Sequence, residues 1–188
     1  MRLGLGVAGN DAELVLRALP SIVLRYRAHD MAARELAAWC QSRPEFAQVL
    51  HPALVGSPGH AHWQALCGAG AMGSANDVTI VTNVTNVTNV SNVPGSGNAA
   101  GLFSVIFGAD CTQPQVDAFC DALKLFKLGF SWGGPMSLVV PYDLASMRQT
   151  WPQHLAPGTL VRFSIGLEAV PDLQADLAQA LDAMAASR

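Results

Sequence analysis

Lysine is nearly absent from this sequence of 188 residues, which contains only Lys124 and Lys127. Charged residues of both signs are also scarce, at 13% of the chain, and 11 basic against 14 acidic residues give a formal net charge of −3. No cluster of Lys and Arg provides the local positive field that attracts a nucleic-acid backbone. We therefore expect no nucleic-acid partner.

Cysteine is sparse as well, with four widely spaced residues at positions 40, 67, 111 and 120. They form no CxxC pair and do not reach the density of a secreted domain held by disulfides. The first residues lack the basic stretch, apolar run and cleavage site of a signal peptide. The uncharged stretch 78–107 is too rich in Asn, Thr, Ser and Gly to cross a membrane. These absences predict a cytoplasmic protein with free thiols and no membrane partner.

Apolar residues make up 51% of the chain, enough for the core of one domain. Their helical spacing predicts a long helix from about residue 11 to 42, kinked at Pro20 because proline removes a backbone donor. We interpret residues 1–42 as a bridging helix and 43–188 as one small domain. Predicted strands cover 46–50, 101–107, 137–141 and 159–165, and predicted helices cover 60–67, the stretch from Thr112 to Gly129, 142–149 and 172–186. This order predicts an α/β fold of the α+β kind, with a mainly antiparallel sheet covered by helices on one face.

Residues from about 71 to 98 differ in kind from the rest of the chain. The triplet Val-Thr-Asn occurs three times in succession over residues 81–89. A period of three matches neither the two-residue period of a strand nor the 3.6-residue period of a helix, so no buried face is indicated. We predict a low-complexity insertion that loops out of the domain.

Arg162 lies in the middle of the predicted strand 159–165. Because side chains alternate between the two faces of a strand, Arg162 is placed on one face with Leu160 and Ser164, opposite the apolar set Val161, Phe163 and Ile165. The planar guanidinium of arginine suits a carboxylate, which it binds with two hydrogen bonds. That carboxylate is either a neighbouring Asp or Glu or a ligand, and the pattern favours neither.

Three motifs together resemble a known family. They are GTLVRFSIGLE at 158–168, SWGG at 131–134 followed by Ser137 and Leu138, and HPAL at 51–54. In this order they are similar to the pyridoxal-phosphate (PLP) enzymes of cysteine and methionine metabolism, and the Trp of SWGG resembles the cystathionine β-lyase branch. The resemblance covers nearly all of residues 10–187 except 71–98. It implies the C-terminal small domain of a fold-type I PLP-dependent enzyme.

The resemblance implies roles for three residues. Arg162 would clamp the α-carboxylate of the amino-acid substrate, Trp132 would line the carboxylate pocket, and Ser131 would lie near the Schiff-base lysine. The chain departs from the family at Met136, where an acidic residue is usual, and at Pro20-Ser21, where Arg-Thr is usual. No catalytic, cofactor-binding or metal-binding residue is assigned, and His60 and His62 are interpreted as structural because no further ligands accompany them.

Enzymes of this family hold PLP as a Schiff base to a lysine, and in the family that lysine belongs to a large domain preceding the small one. Lys124 and Lys127 are predicted on the helix before Ser131 and lie outside the family's lysine motif. The resemblance therefore implies that this chain alone does not hold PLP covalently and is inactive by itself.

The resulting interpretation is the C-terminal segment of a PLP-dependent carbon–sulfur lyase of methionine biosynthesis, which in the full enzyme converts cystathionine to homocysteine, pyruvate and ammonia. Its expected partner is a large-domain fragment or further copies of itself. One alternative is a segment of a cystathionine γ-synthase-type or other sulfur-amino-acid enzyme. A second alternative is a non-catalytic docking domain.

Overall fold

The computed structural model of the chain describes residues 6–67 and 98–186. The elements in chain order are α1 (Gly9–Ala18), a 3₁₀ turn (Leu19–Ser21), α2 (Ile22–Gln41), β1 (Phe46–Leu50), α3 (His60–Cys67), β2 (Leu102–Phe107), α4 (Gln113–Ala122), β3 (Lys127–Leu128), β4 (Leu138–Tyr142), α5 (Leu144–Met147), β5 (Leu160–Ser164) and α6 (Val170–Ala186). Apart from Asn98, the insertion predicted at 71–98 lies outside the described residues.

The five strands form one sheet in the order β1-β2-β5-β4-β3. Neighbouring strands are antiparallel except β3 and β4, which run parallel. The predicted fold class, a mainly antiparallel sheet with helices, is confirmed. β5 lies in the middle of the sheet, where Arg162 is paired with Ser104 of β2 and with Val140 of β4.

Helices α2, α4 and α6 pack together and against the sheet to enclose the core. Aromatic rings form its centre around Phe163, which is fully buried. The Phe163 ring centroid lies 5.2 Å from that of Phe103, 5.3 Å from Phe126 and 6.5 Å from Phe119. These rings come from β2, β5, α4 and the segment before β3, so the cluster joins the helical layer to the sheet.

The N-terminal helical segment is divided at a 3₁₀ turn that contains Pro20. α1, on one side of this turn, has no buried residue, whereas the second half of α2 contributes five apolar residues to the core. Large apolar side chains instead remain exposed along α1, the turn and the start of α2. We call this set the apolar helical surface; it comprises Leu14, Val15, Leu16, Leu19, Ile22, Val23 and Leu24.

α4 ends at Ala122, not at Gly129 as predicted, and Leu123 already has an extended backbone. The cause is a buried carboxylate on α6. Asp176 accepts hydrogen bonds from the backbone N–H groups of Lys124 (2.8 Å), Leu125 (2.7 Å) and Phe126 (3.3 Å), which turn the chain away from the helix and into β3. The prediction that Lys124 and Lys127 lie on this helix is therefore wrong, since both follow it.

The two sides of the stretch 68–97 are attached to α2 through side chains. The Trp63 indole N–H on α3 donates to the carbonyl oxygen of Asn98 (3.0 Å), and Asp30 accepts from the backbone N–H of Ala99 (2.8 Å). Arg34 joins the two contacts, because it bonds Asp30 (3.1 Å) and lies 5.4 Å from the centroid of the Trp63 ring. Residues 63 and 98–99 are thus held together on one surface of α2.

None of the four cysteines forms a disulfide bond. Burial raises the pKa of both the Cys40 and the Cys120 thiols to about 12, so these two are protonated at neutral pH. Among the described residues, no helix is long and apolar enough to cross a membrane.

Candidate functional site

Arg162 lies at the centre of the sheet face that α2, α4 and α6 leave uncovered. The strand alternation places it there, because its neighbours Val161 and Phe163 are fully buried against the helices while Arg162 is only half-buried. The orientation predicted for this side chain is the one observed.

The guanidinium of Arg162 binds backbone carbonyls rather than an acidic side chain. Its Nη2 donates to the carbonyl oxygens of Phe130 (2.9 Å) and Ser131 (3.4 Å), and its Cζ lies 5.9 Å from the centroid of the Tyr142 ring. Nε is buried and has no hydrogen-bond partner among the described residues. Of the two alternatives left open by the sequence, an ion pair with a neighbouring Asp or Glu is not found within the described chain.

The loop of residues 129–137 carries the other two residues singled out in the sequence. It brings the Ser131 carbonyl to Arg162, so this contact uses the backbone of Ser131. Trp132 follows with 64% of its surface exposed, and among the described residues its indole has neither a hydrogen-bond nor a ring partner. Gly133 then turns the chain with a φ of +72°, a conformation that glycine adopts without strain.

The far end of the same loop is bound to the turn after β5. Glu168 accepts hydrogen bonds from the backbone N–H of Ser137 (2.7 Å) and from its hydroxyl (2.9 Å). The Ser137 hydroxyl in turn accepts from the N–H of Gly166 (2.9 Å), and the N–H of Leu167 donates to the Pro135 carbonyl (2.8 Å). Residues 135–137 are therefore fixed relative to residues 166–168.

A buried histidine on α2 lies near this junction. Burial lowers the pKa of His29, and the charge of Arg25 lowers it further, while Glu168 and the Gly134 backbone act in the opposite direction. The neutral imidazole is thus favoured near neutral pH. Gly101 leaves room for it, because a Cβ there would lie 2.8 Å from the Cβ of His29.

Sequence reasoning missed two contributors to this site. Tyr142 borders Arg162, and the signal was available, since Leu138, Val140 and Tyr142 alternate onto the face that bears Arg162. Glu168 belongs to the motif at 158–168, but the pattern indicates no role for it because its partner Ser137 is 31 residues away.

The described residues do not place a lysine amine beside Arg162. An enzyme that holds PLP as a Schiff base needs such an amine at the reacting centre. Lys127 lies on the edge strand β3, two strands from Arg162, and its Nζ donates to the carbonyl of Lys124. Lys124 is exposed on the bend after α4. What the described residues offer is a cationic fork suited to a carboxylate.

His60 has a structural environment. Its Nδ1 is hydrogen-bonded to the Pro52 carbonyl (2.8 Å), and its ring lies 5.7 Å from that of Trp63. Across residues 6–67 and 98–186, no group of three or more His, Cys, Asp and Glu side chains is arranged to hold a metal ion.

The fold, with its arginine on the uncovered sheet face, is that of fold-type I PLP-dependent enzymes. Cystathionine γ-synthase from Xanthomonas oryzae pv. oryzae superposes with a TM-score of 0.68 at 26% identity, over 99% of this chain and 41% of that one. The model of the family described as Cys/Met metabolism PLP-dependent enzyme matches residues 1–90 and 94–182, and the chain belongs to this family.

The chain is also similar to curated cystathionine β-lyases. The chain is 37% identical to cystathionine β-lyase from Bordetella avium over 96% of its own length, and 33% identical to cystathionine β-lyase from Salmonella typhimurium over 94%. In each case it spans 38% of the relative's length.

Proposed function

We propose that this chain supplies the substrate-carboxylate side of the active site in a carbon–sulfur lyase of the cystathionine β-lyase kind, and that another polypeptide segment supplies PLP and its lysine. The similarity to two cystathionine β-lyases supports the reaction type. The position and bonding of Arg162 support the role given to this chain.

The main support for this role is that the hydrogen-bonding groups of the Arg162 guanidinium are not all used within the described residues. A guanidinium binds a carboxylate through two parallel N–H groups. The Nε–H of Arg162 has no partner among the described residues, and Nη2 is bonded only to the neutral carbonyls of Phe130 and Ser131. Because Nε is buried, a substrate carboxylate would have to displace those carbonyls to reach the guanidinium, and this exchange is favourable since hydrogen bonds between charged groups are the stronger ones.

The apolar helical surface supports the proposal that a further polypeptide segment binds this chain. It carries exposed aliphatic side chains on α1, the 3₁₀ turn and the start of α2. Exposed apolar patches of this kind mark surfaces that bind other protein. We infer that residues 1–42 bridge to a PLP-bearing segment, which would cover this surface.

In the proposed reaction the carbon–sulfur bond of cystathionine breaks and the sulfur leaves as homocysteine. The remaining three carbons and nitrogen take up water and give pyruvate and ammonia. Arg162 holds the α-carboxylate throughout, and Ser131 and Trp132 form the adjacent wall of the pocket. Holding the carboxylate fixes the orientation of the bonds at the α-carbon relative to the reacting groups.

The test is complementation. The 188-residue chain is mixed with PLP and with the remainder of the Bordetella avium enzyme, from which the matched segment has been removed, and pyruvate release from cystathionine is measured. We expect activity from the mixture and from neither component alone.

Arg162→Ala should lower kcat/KM about 100-fold, the effect of losing roughly 3 kcal/mol of charged hydrogen bonds. The matched control is Arg148→Ala, an exposed arginine after α5. Binding of the two components without pyruvate release would favour the non-catalytic docking domain.

A second candidate is a cystathionine γ-synthase-type activity, favoured by the structural similarity to the Xanthomonas enzyme. The complementation mixture distinguishes this activity from the lyase activity. Net formation of cystathionine from cysteine and an activated homoserine, without pyruvate from cystathionine, would replace the lyase assignment.

A further inference from the structure

We infer that Glu168 is a positioning residue. It holds the end of the loop 129–137 in a fixed position relative to Arg162. The inference rests on the proposed function in one respect, namely that this loop forms a wall of the substrate pocket. The placement of the loop by Glu168 is a property of the chain alone and can be measured without activity.

The loop is fastened at its two ends by different side chains. At its start, Arg162 bonds the carbonyls of Phe130 and Ser131. At its end, Glu168 bonds both the N–H and the hydroxyl of Ser137. Trp132 and the two glycines lie between these points, so their position depends on both attachments.

The chemistry of the second attachment requires a carboxylate. Ser137 presents two donors, and Glu168 meets each with a separate oxygen, at 2.7 and 2.9 Å. Ser137 is fully buried, which excludes water as a substitute acceptor. Glutamine has the same shape but one acceptor oxygen instead of two, so its NH2 group would face one of the two buried donors of Ser137.

The turn that contains Glu168 packs so closely against the loop that no side chain fits at Gly166. A Cβ on Gly166 would lie 2.4 Å from the Pro135 carbonyl oxygen, 2.4 Å from a Glu168 carboxylate oxygen and 2.6 Å from the Met136 carbonyl carbon. The turn after β5 therefore approaches the loop as closely as backbone allows. Arg162 lies on β5 and Glu168 lies in the turn that follows it, so both attachments of the loop come from one short stretch of the chain.

The experiment compares Glu168→Gln with the wild-type chain by amide hydrogen exchange. We expect exchange at Ser137, Gly166 and Leu167 to accelerate roughly 10- to 100-fold, the effect of losing a hydrogen bond to a charged group. Exchange at Phe103 and Phe163 in the central strands should be unchanged. Glu35→Gln, at an exposed glutamate of α2, is the matched control.

Ser137→Ala is a second variant, with a smaller expected effect on hydrogen exchange. It removes the hydroxyl and leaves the bond between the residue 137 N–H and Glu168, so its acceleration should be smaller than that of Glu168→Gln. Equal exchange in Glu168→Gln and the wild type would overturn the inference. Uniform acceleration that includes Phe103 and Phe163 would also overturn it, because Glu168 would then support the whole fold rather than the loop.

The complementation mixture gives a second measurement. Glu168→Gln should raise KM for cystathionine about 10-fold with a smaller change in kcat, since the pocket wall is displaced while the reacting groups are retained. An unchanged KM beside accelerated exchange would contradict the link between the loop and the substrate. If the wild-type mixture is inactive, the proposed function fails, and the exchange result decides the role of Glu168 by itself.

Discussion

The two faces of the sheet differ in what their side chains do, although the same strands supply both. On β5, Val161 and Phe163 are fully buried among aromatic and aliphatic residues of the helices. Arg162 between them faces the uncovered side, where it meets backbone carbonyls and the Tyr142 ring. A shift of one residue along the strand thus separates side chains that pack in the core from one that hydrogen-bonds backbone carbonyls on the uncovered face.

We expect stability and the candidate site to respond to different substitutions in this domain. The covered face stabilises the fold through buried apolar area and ring packing. On the uncovered face, the Nε–H of Arg162 has no hydrogen-bond partner among the described residues, which is unfavourable for stability. Substitutions on the two faces should therefore have different consequences.

The largest effect is expected from Phe163→Ala. It removes a ring in contact with Phe103, Phe119 and Phe126 and leaves a cavity, so the free energy of unfolding should fall by about 3–5 kcal/mol. Phe130→Ala is the matched control on the uncovered side, where Phe130 is 75% exposed, and should cost less than about 1 kcal/mol. Urea denaturation measures both, and equal losses would remove the distinction between the faces.

A smaller effect is expected from pH, through a histidine buried on the helical side. Burial, aided by the charge of Arg34, lowers the pKa of His51 from 6.5 to about 4. Its Nδ1 accepts a hydrogen bond from the N–H of Ala53 (3.2 Å), which requires the unprotonated nitrogen. The unfolded chain therefore binds a proton near pH 6.5 that the folded chain does not accept until about pH 4.

The free energy of unfolding should accordingly decrease as the pH falls from 6.5 towards 4, by up to about 3 kcal/mol from this residue. Urea denaturation at several pH values measures the slope. His51→Gln should reduce that slope, whereas His62→Gln, at an exposed histidine of α3, should leave it unchanged. An unaltered slope in His51→Gln would show that the covered side tolerates the charge.

The smallest effect is expected from Tyr142→Leu on the uncovered face. Loss of the ring beside the Arg162 guanidinium removes a contact worth about 0.5–1 kcal/mol, so KM for cystathionine in the complementation mixture should rise about 2- to 5-fold. Tyr142→Phe retains the ring and should behave as the wild type. A large loss of stability in Tyr142→Leu would indicate that this face contributes to the core after all.

Local patterns predicted much of the fold. The strand over residues 46–50 and the helix over 60–67 have the predicted bounds, and the side of the sheet on which Arg162 lies followed from alternation alone. These features depend on neighbouring residues and on a period of two or 3.6, which the sequence displays directly. Family motifs supplied the resemblance that the comparisons then confirmed.

Contacts between distant parts of the chain were not predictable in the same way. The end of α4 depends on Asp176, which is 52 residues away from Lys124, and the partners of Arg162 are carbonyls contributed by a loop more than 30 residues earlier. A backbone carbonyl has no side-chain signature, so no residue pattern indicates it. The assignment of Ser131 to the site was similarly limited, because the atom that reaches Arg162 belongs to the main chain.

The attachment of Trp63, Asn98 and Ala99 to α2 has a consequence for the length of the protein. Because Trp63 bonds Asn98 and Asp30 bonds Ala99, the entry into β2 is fixed by residues outside the intervening segment. The entry into β2 should therefore keep its position when the number of residues between 67 and 98 is changed, because its contacts with α2 and α3 lie outside that stretch.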